Sequence, residues 1–152
     1  MPPPPATGYH SRVRVLAIDL GRRRIGFAVS DPSGLLARPL EVVAVPHDNG
    51  QMRAVLEVVG RLAAEDDGLG KVVVGWPRRL DGTANDETPR VEAFAEMLRT
   101  RISQPVVLQD ERLSSVEAES RLAVRDRDWR SRKKKLDAAA AAVILQDYLD
   151  GQ

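Results

Sequence analysis

Cysteine is absent from this chain of 152 residues, and histidine occurs only at His10 and His47. Without thiols, the protein has no disulfide, no thiolate zinc site, no iron–sulfur cluster and no cysteine nucleophile. The two histidines do not belong to a metal-like cluster, so any bound metal would be a hard ion held by carboxylates. The sequence therefore restricts metal chemistry to oxygen ligands.

Long apolar runs are also missing. No stretch of about 18 apolar residues is present, so we expect no segment to span a membrane. Met1 and the four prolines after it lack the apolar core of a secretory signal. With 43% hydrophobic and 30% charged residues, the composition is typical of a soluble globular protein. We expect a cytoplasmic protein with one domain over residues 12–152, preceded by a disordered Pro-rich tail over residues 1–11.

The hydrophobic pattern alternates between strand-like and helix-like periods, which predicts an α/β fold. Apolar runs bounded by turn residues predict strands over residues 14–19, 25–30, 40–45, 71–75 and 106–109. Helical periodicity and capping patterns predict helices over residues 51–65, from Thr88 as N-cap, from Ser114, and over residues 136–149. Hairpins and right-handed crossovers then give a five-stranded mixed sheet in the order 3-2-1-4-5, with helices on both faces.

Acidic residues follow two of the strands that this topology makes parallel. Asp19 ends the first strand, and Asp110 and Glu111 end the fifth, so we expect them at the same edge of the sheet. Asp137 opens the last helix on its apolar side. Carboxylates gathered there predict a Mg²⁺ or Mn²⁺ site. Taken separately, Asp19 could instead satisfy turn amides, and Asp137 could be stabilised by the helix dipole.

Basic residues are clustered at three places beside these acids: residues 22–24, 78–79 and 132–135. Together these clusters predict a phosphate-binding cleft. Residues 121–135 contain eight basic and two acidic residues. Any single cluster is also consistent with a solvated loop, and Arg112 is as well suited to orienting an acid as to contacting substrate. The candidate nucleic-acid-binding residues are Arg22, Arg23, Arg24, Arg78, Arg79, Arg112, Arg132, Lys133, Lys134 and Lys135.

Four motifs occur in order and together span roughly residues 13–150. They are Ile18-Asp19-Leu20-Gly21…Arg24-Ile25-Gly26…Ser30-Asp31, Val74-Gly75-Trp76-Pro77…Leu80-Asp81-Gly82, Asp110-Glu111-Arg112-Leu113-Ser114-Ser115…Ala118, and Leu136-Asp137…Ala139-Ala140…Ile144-Leu145-Gln146…Tyr148-Leu149. With these motifs the chain resembles the YqgF family, also called RuvX. That family is related to the RuvC Holliday-junction resolvases and has an RNase H-like fold.

The resemblance implies a metal-dependent nuclease in which Asp19, Glu111 and Asp137 are catalytic and bind Mg²⁺ or Mn²⁺. It also implies an RNA substrate, with maturation of the 5′ end of pre-16S rRNA during ribosome biogenesis. In the RuvC branch an acid is expected at the end of the fourth strand, where this chain has Val74-Gly75-Trp76-Pro77. This departure favours the YqgF branch, in which Glu111 fills the gap. Strand alternation leaves open whether Asp110 or Glu111 faces the metal, and the family pattern points to Glu111.

Other functions remain alternatives at this point. One is a resolvase for Holliday junctions or other structured DNA in recombination and repair, and another is a catalytically silent nucleic-acid-binding module. A sugar-kinase-like or actin-like ATPase normally needs two such domains, and this chain is long enough for one. The sequence leaves open RNA versus DNA, exonuclease versus endonuclease action, Mg²⁺ versus Mn²⁺, one or two ions, and monomer or dimer.

Overall fold

The structure is a computed structural model that describes residues 13–46, 50–111 and 129–152. In the last helix, side chains are described from residue 138 onward. Several predicted features therefore lie outside the described residues: the Pro-rich tail over residues 1–11, the helix beginning at Ser114, Arg112 and residues 121–128 of the basic segment. The side chains of Arg132, Lys133, Lys134, Lys135 and Asp137 are also outside the described set.

Five strands form one mixed sheet in the order β3-β2-β1-β4-β5, as predicted. Both hairpin pairs, β1–β2 and β2–β3, are antiparallel, whereas β1–β4 and β4–β5 are parallel. The carboxyl ends of β1, β4 and β5 consequently share one edge, called here the carboxyl edge. The strands are β1 (Arg14–Leu20), β2 (Arg24–Ser30), β3 (Ala37–Ala44), β4 (Leu69–Trp76) and β5 (Val106–Asp110).

The third strand begins at Ala37, whereas the sequence pattern had predicted a start at residue 40. Its first residues include Arg38 and Pro39, which hide the apolar alternation of a strand. Pro39 is tolerated because β3 lies at the edge of the sheet, where a missing N–H disrupts fewer ladder bonds. Ala37 pairs with Ser30, and its N–H also donates to Oε1 of Gln146 at 2.9 Å.

Helices cover both faces of the sheet, as predicted. The first two, α1 (Gln51–Ala64) and α2 (Thr88–Arg99), pack on one face around a core that includes Ile18, Phe27 and Val74. The third, α3 (Trp129–Asp150), covers the other face, where Ile144 is fully buried. The described part of the chain thus forms a three-layer sandwich, with α1 and α2 on one face of the sheet and α3 on the other.

Two helices begin at residues other than those predicted. Thr88 is the first residue of α2, not its N-cap. Instead, Oδ1 of Asn85 accepts the N–H groups of Glu87 and Thr88, at 2.8 and 3.1 Å. The last helix begins at Trp129, seven residues before the predicted start, so the end of the basic segment is helical. Arginine and lysine are good helix formers, and a helix that extends past the core needs no apolar periodicity there.

Within the described part of the chain, no helix has both the length and the apolar character needed to cross a membrane.

Candidate active site

Asp19 and Glu111 approach each other across the end of β4. The last paired residues of β1 and β4 are Ile18 and Val74, so the next residues, Asp19 and Gly75, are neighbours. Glu111 directly follows β5, and its N–H donates to the carbonyl oxygen of Trp76 at 3.2 Å. The carboxyl edge therefore brings together residues that are far apart in the sequence, as their positions at strand ends predicted.

Gly75 makes this approach sterically feasible. A β carbon at this position would lie 2.8 Å from Oε2 of Glu111 and 2.7 Å from Cδ1 of Ile144. The Glu111 carboxylate and the Ile144 side chain of α3 thus rest directly on the backbone of β4. Sequence reasoning did not single out Gly75 as a site residue. The available signal was a glycine inside an apolar strand, which marks a close approach by another group.

Glu111, not Asp110, lies on the same sheet face as Asp19. Strand alternation places Asp19, Gly75 and Glu111 on the face that α3 covers. Asp110 lies on the opposite face, and its Oδ2 is 3.4 Å from Nη1 of Arg78. Of the two acids, Glu111 therefore shares a sheet face with Asp19, and its role as a metal ligand stays a prediction.

The environment of Glu111 disfavours its charged form. Burial raises the pKa of Glu111 from its usual 4.5 to about 8, and the negative charges of Asp19 and then Asp110 act in the same direction. A bound cation would offset both the burial and the repulsion, so this pair of acids suits a divalent metal. Among the described side chains, however, no three acidic or histidine groups form a complete metal-binding set.

The position of Asp137 depends on the course of α3. Ile144 contacts Gly75 near the carboxyl end of β4, whereas the hydroxyl of Tyr148 accepts a hydrogen bond from Nζ of Lys71, near the other end, at 2.6 Å. The helix therefore runs antiparallel to β4, and its earlier residues lie toward the carboxyl edge. Residue 137 is two turns before Ile144, about 10 Å further along the helix in that direction. The described side chains begin after Asp137, so its role as a ligand stays a prediction.

Arg22 and Arg23, between β1 and β2, are exposed, Arg24 is half-buried, and all three have partners in the protein. Nε of Arg22 is 2.7 Å from Oε1 of Glu87. Arg23 donates to the carbonyl oxygen of Pro46 at 3.4 Å, and Arg24 begins β2 and also has an interaction partner. All three lie next to Asp19 in the chain, close to the carboxyl edge.

The loop over residues 77–87 places Arg78 and Arg79 differently. The Arg78 guanidinium stacks on Trp76 at 4.3 Å from the ring centre, pairs with Asp110 and donates to the Gly82 carbonyl. Arg79 is exposed, and its Nε donates to the Ala84 carbonyl at 3.2 Å. Arg78 thus holds the loop in place, whereas Arg79 presents its guanidinium to solvent. The backbone of Arg132, Lys133, Lys134 and Lys135 lies in the first turns of α3, and their side chains are outside the described set.

The raised pKa of Glu111 predicts an unusual dependence of stability on pH. Between pH 4.5 and about 8 the folded protein keeps a proton that the unfolded chain releases. The free energy of unfolding of the metal-free protein should therefore decrease as pH rises through that window, because protonation of Glu111 no longer favours the folded state. Glu111→Gln cannot ionise, so its advantage in stability over the wild type should grow with pH. Urea unfolding of both proteins in a chelating buffer would measure this, and a constant difference would contradict the prediction.

Comparison with known proteins gives the same family as the sequence motifs. The family model RuvX, described as Holliday junction resolvase, matches residues 13–151. A protein of Geobacillus kaustophilus (strain HTA426) is 41% identical over 145 residues, which cover 92% of this chain and 99% of the relative. One of Anaeromyxobacter sp. (strain K) is 42% identical over 138 residues, covering 91% and 97%. Both carry the name "Putative pre-16S rRNA nuclease".

Solved structures show the same fold at lower sequence identity. T. thermophilus RuvC in complex with a Holliday junction substrate aligns with a TM-score of 0.51 and 21% identity, covering 87% of this chain and 91% of that one. The yeast mitochondrial Holliday junction resolvase Ydc2 aligns with a TM-score of 0.51 and 15% identity, covering 91% and 78%. These similarities confirm the predicted RNase H-like fold. Together with the near full-length match to the family model and the curated relatives, they show that the chain belongs to the RuvX (YqgF) family of nucleases.

Proposed function

We propose that this protein is a metal-dependent nuclease of the cytoplasm that hydrolyses phosphodiester bonds at the 5′ end of pre-16S rRNA during ribosome biogenesis. The observation that carries the proposal is the pair Asp19 and Glu111 on one sheet face, flanking Gly75. The names of the curated relatives support the choice of substrate. Because the charged form of Glu111 is disfavoured without a cation, the site is poised to take one up.

Three carboxylates would hold Mg²⁺ or Mn²⁺: Asp19 from β1, Glu111 from β5 and Asp137 from α3. When bound, such an ion activates water and stabilises the leaving oxygen. Asp19 and Glu111 would orient it from their places at the strand ends, where the Glu111 carboxylate and the Ile144 side chain both lie against the backbone of Gly75. The Glu111 carboxyl group would release its proton on cation binding, so metal affinity should increase with pH.

Basic residues near the carboxyl edge would bind the phosphates of the substrate. Arg22, Arg23 and Arg79 suit this role best among the described side chains, because their guanidinium groups lie at the surface. Arg78 has its main contacts within the loop and would act by holding Arg79 in place. The other proposed contacts are Arg24, Arg112, Arg132, Lys133, Lys134 and Lys135.

A cleavage assay with paired substrates tests the proposal. Wild type and Glu111→Gln should be compared on an RNA carrying the 5′ precursor segment of 16S rRNA and on a Holliday junction of matched length. We expect the wild type to cleave the RNA with Mg²⁺ or Mn²⁺ and not with a chelator, and Glu111→Gln to be inactive. The family description favours the junction as the second candidate substrate. Cleavage of the junction alone would replace the proposed substrate, and tight binding without any cleavage would indicate a silent binding module.

A further inference from the structure

The two residues after Asp19 are held by side chains from α1 and α2. Nη2 of Arg90, in α2, donates to the carbonyl oxygen of Leu20 at 2.7 Å. Nε2 of Gln51, the first residue of α1, donates to the carbonyl oxygen of Gly21 at 2.5 Å. Side chains of α1 and α2 thus hold the two consecutive carbonyl groups that follow Asp19. These helices lie on the sheet face opposite α3.

Arg90 is itself oriented by further contacts. Its Nε is 2.5 Å from Oε2 of Glu87, whose Oε1 accepts a hydrogen bond from Arg22. Nη1 of Arg90 is 3.4 Å from Oε1 of Gln51, so the two side chains that hold the strand end also contact each other. Gln51 is 7% exposed, and the Arg90 side chain is 24% exposed. The guanidinium therefore has a defined place between the strand end and the two helices.

These contacts lie just beyond the last residue pair of the ladder between β1 and β4. The last paired residues of the β1–β4 ladder are Ile18 and Val74, so Asp19 lies just beyond it. The turn that follows is tight, because a β carbon at Gly21 would overlap the carbonyl oxygen of Arg24. On the β2 side, Asp19 and Leu20 still pair with Gly26 and Ile25. The bonds that Arg90 and Gln51 make to the Leu20 and Gly21 carbonyl groups therefore add to this ladder in fixing the strand end that carries Asp19.

We infer that Arg90, together with Gln51, is a positioning residue for Asp19. It holds the end of β1 so that the Asp19 carboxylate keeps its place opposite Glu111, both for cation binding and for hydrolysis. Arg90 would act through the backbone, by its bond to the carbonyl oxygen of Leu20, rather than through a ligand side chain. The inference rests on the proposed metal-dependent nuclease function and adds residues from α1 and α2 to it. Support of this kind around metal ligands typically contributes about 10–100-fold in metal affinity or activity.

The test compares Arg90→Met with a matched control in the same helix. Nε of Arg99 donates to the carbonyl oxygen of Val106 at 3.1 Å, at the start of β5 and far from the carboxyl edge. Arg99→Met therefore also removes a bond between an α2 arginine and a strand carbonyl. We expect Arg90→Met to weaken Mn²⁺ binding, measured by calorimetry, and to lower kcat by about 10–100-fold with KM for nucleic acid unchanged. Arg99→Met should match the wild type in both, and Arg90→Lys should recover part of the loss.

Amide hydrogen exchange gives a second measurement that needs neither metal nor substrate. The N–H of Gly21 donates to the carbonyl oxygen of Asp19 at 3.2 Å and reports on the strand end. In the metal-free protein, exchange at Gly21 should be faster in Arg90→Met than in the wild type. The increase should be larger than a loss of global stability alone would cause. Arg99→Met serves as the control that shows how much exchange at Gly21 changes with global stability.

Three outcomes would overturn the inference or separate it from the proposed function. If folded Arg90→Met binds Mn²⁺ and cleaves like the wild type, Arg90 contributes stability alone. If it raises KM and lowers the salt dependence of binding while Mn²⁺ affinity is unchanged, Arg90 contacts phosphate directly. If the wild type neither binds Mn²⁺ nor cleaves, the proposed function fails. In that case, exchange at Gly21 still decides whether Arg90 holds the strand end.

Discussion

Asp19→Asn should lower the rate of nucleic-acid cleavage by at least about a hundredfold. The change nearly preserves shape but removes a negative ligand from the carboxyl edge, and charge that develops in the transition state is then poorly stabilised. Nucleic-acid affinity should hold or increase, because a charge that repels phosphate is removed. Single-turnover cleavage and filter binding at the same salt concentration would measure the two effects separately.

Asp110→Asn is the matched control for this change. Asp110 lies close to Glu111 in the chain but on the opposite sheet face, where it pairs with Arg78. Loss of its charge should leave most of the cleavage rate intact. If Asp19→Asn only loses stability while the folded fraction cleaves like the wild type, Asp19 is a turn residue and the proposed site is wrong.

Gly75→Ala should impair cleavage far more than it impairs folding. The added β carbon would lie within 3 Å of the ends of two side chains, Glu111 and Ile144, which can move aside. Overpacking of this kind costs about 1–3 kcal/mol of stability. The displaced Glu111 carboxylate would no longer face Asp19, and a misplacement of about 1 Å can cost about a hundredfold in rate. Urea unfolding, Mn²⁺ calorimetry and cleavage assays on the same preparation would compare the two losses.

Gly60→Ala provides the control for adding a methyl group. Gly60 lies in α1, and a β carbon there would have nothing within 4 Å. The change should stabilise the protein by about 0.4–1 kcal/mol and leave cleavage unchanged. A Gly75→Ala protein that binds Mn²⁺ and cleaves at the wild-type rate would show that the close approach of Glu111 to β4 is dispensable.

Much of the fold followed from local patterns in the sequence. Hairpin turns and helical crossovers have a preferred geometry, so the order of the elements along the chain was enough to predict the sheet order β3-β2-β1-β4-β5. The predicted ends of strands and helices were less accurate where polar residues occur inside a strand or helix. Arg38 and Pro39 masked the start of an edge strand, and basic residues masked the first turns of α3.

The sequence by itself determined that acidic residues lie at or next to the carboxyl ends of β1 and β5, and that any metal there would be a hard cation held by carboxylates. Right-handed crossover connections then place those strand ends at the same edge of the sheet. Only the tertiary structure decided that Glu111 rests on Gly75, that Asp110 turns to Arg78, and that Arg90 and Gln51 hold the residues after Asp19. These contacts join residues 30 or more positions apart, as in the pair Gln51 and Gly21. Their partners are set by strand register and by the packing of helices on the sheet, which no local pattern of side chains encodes.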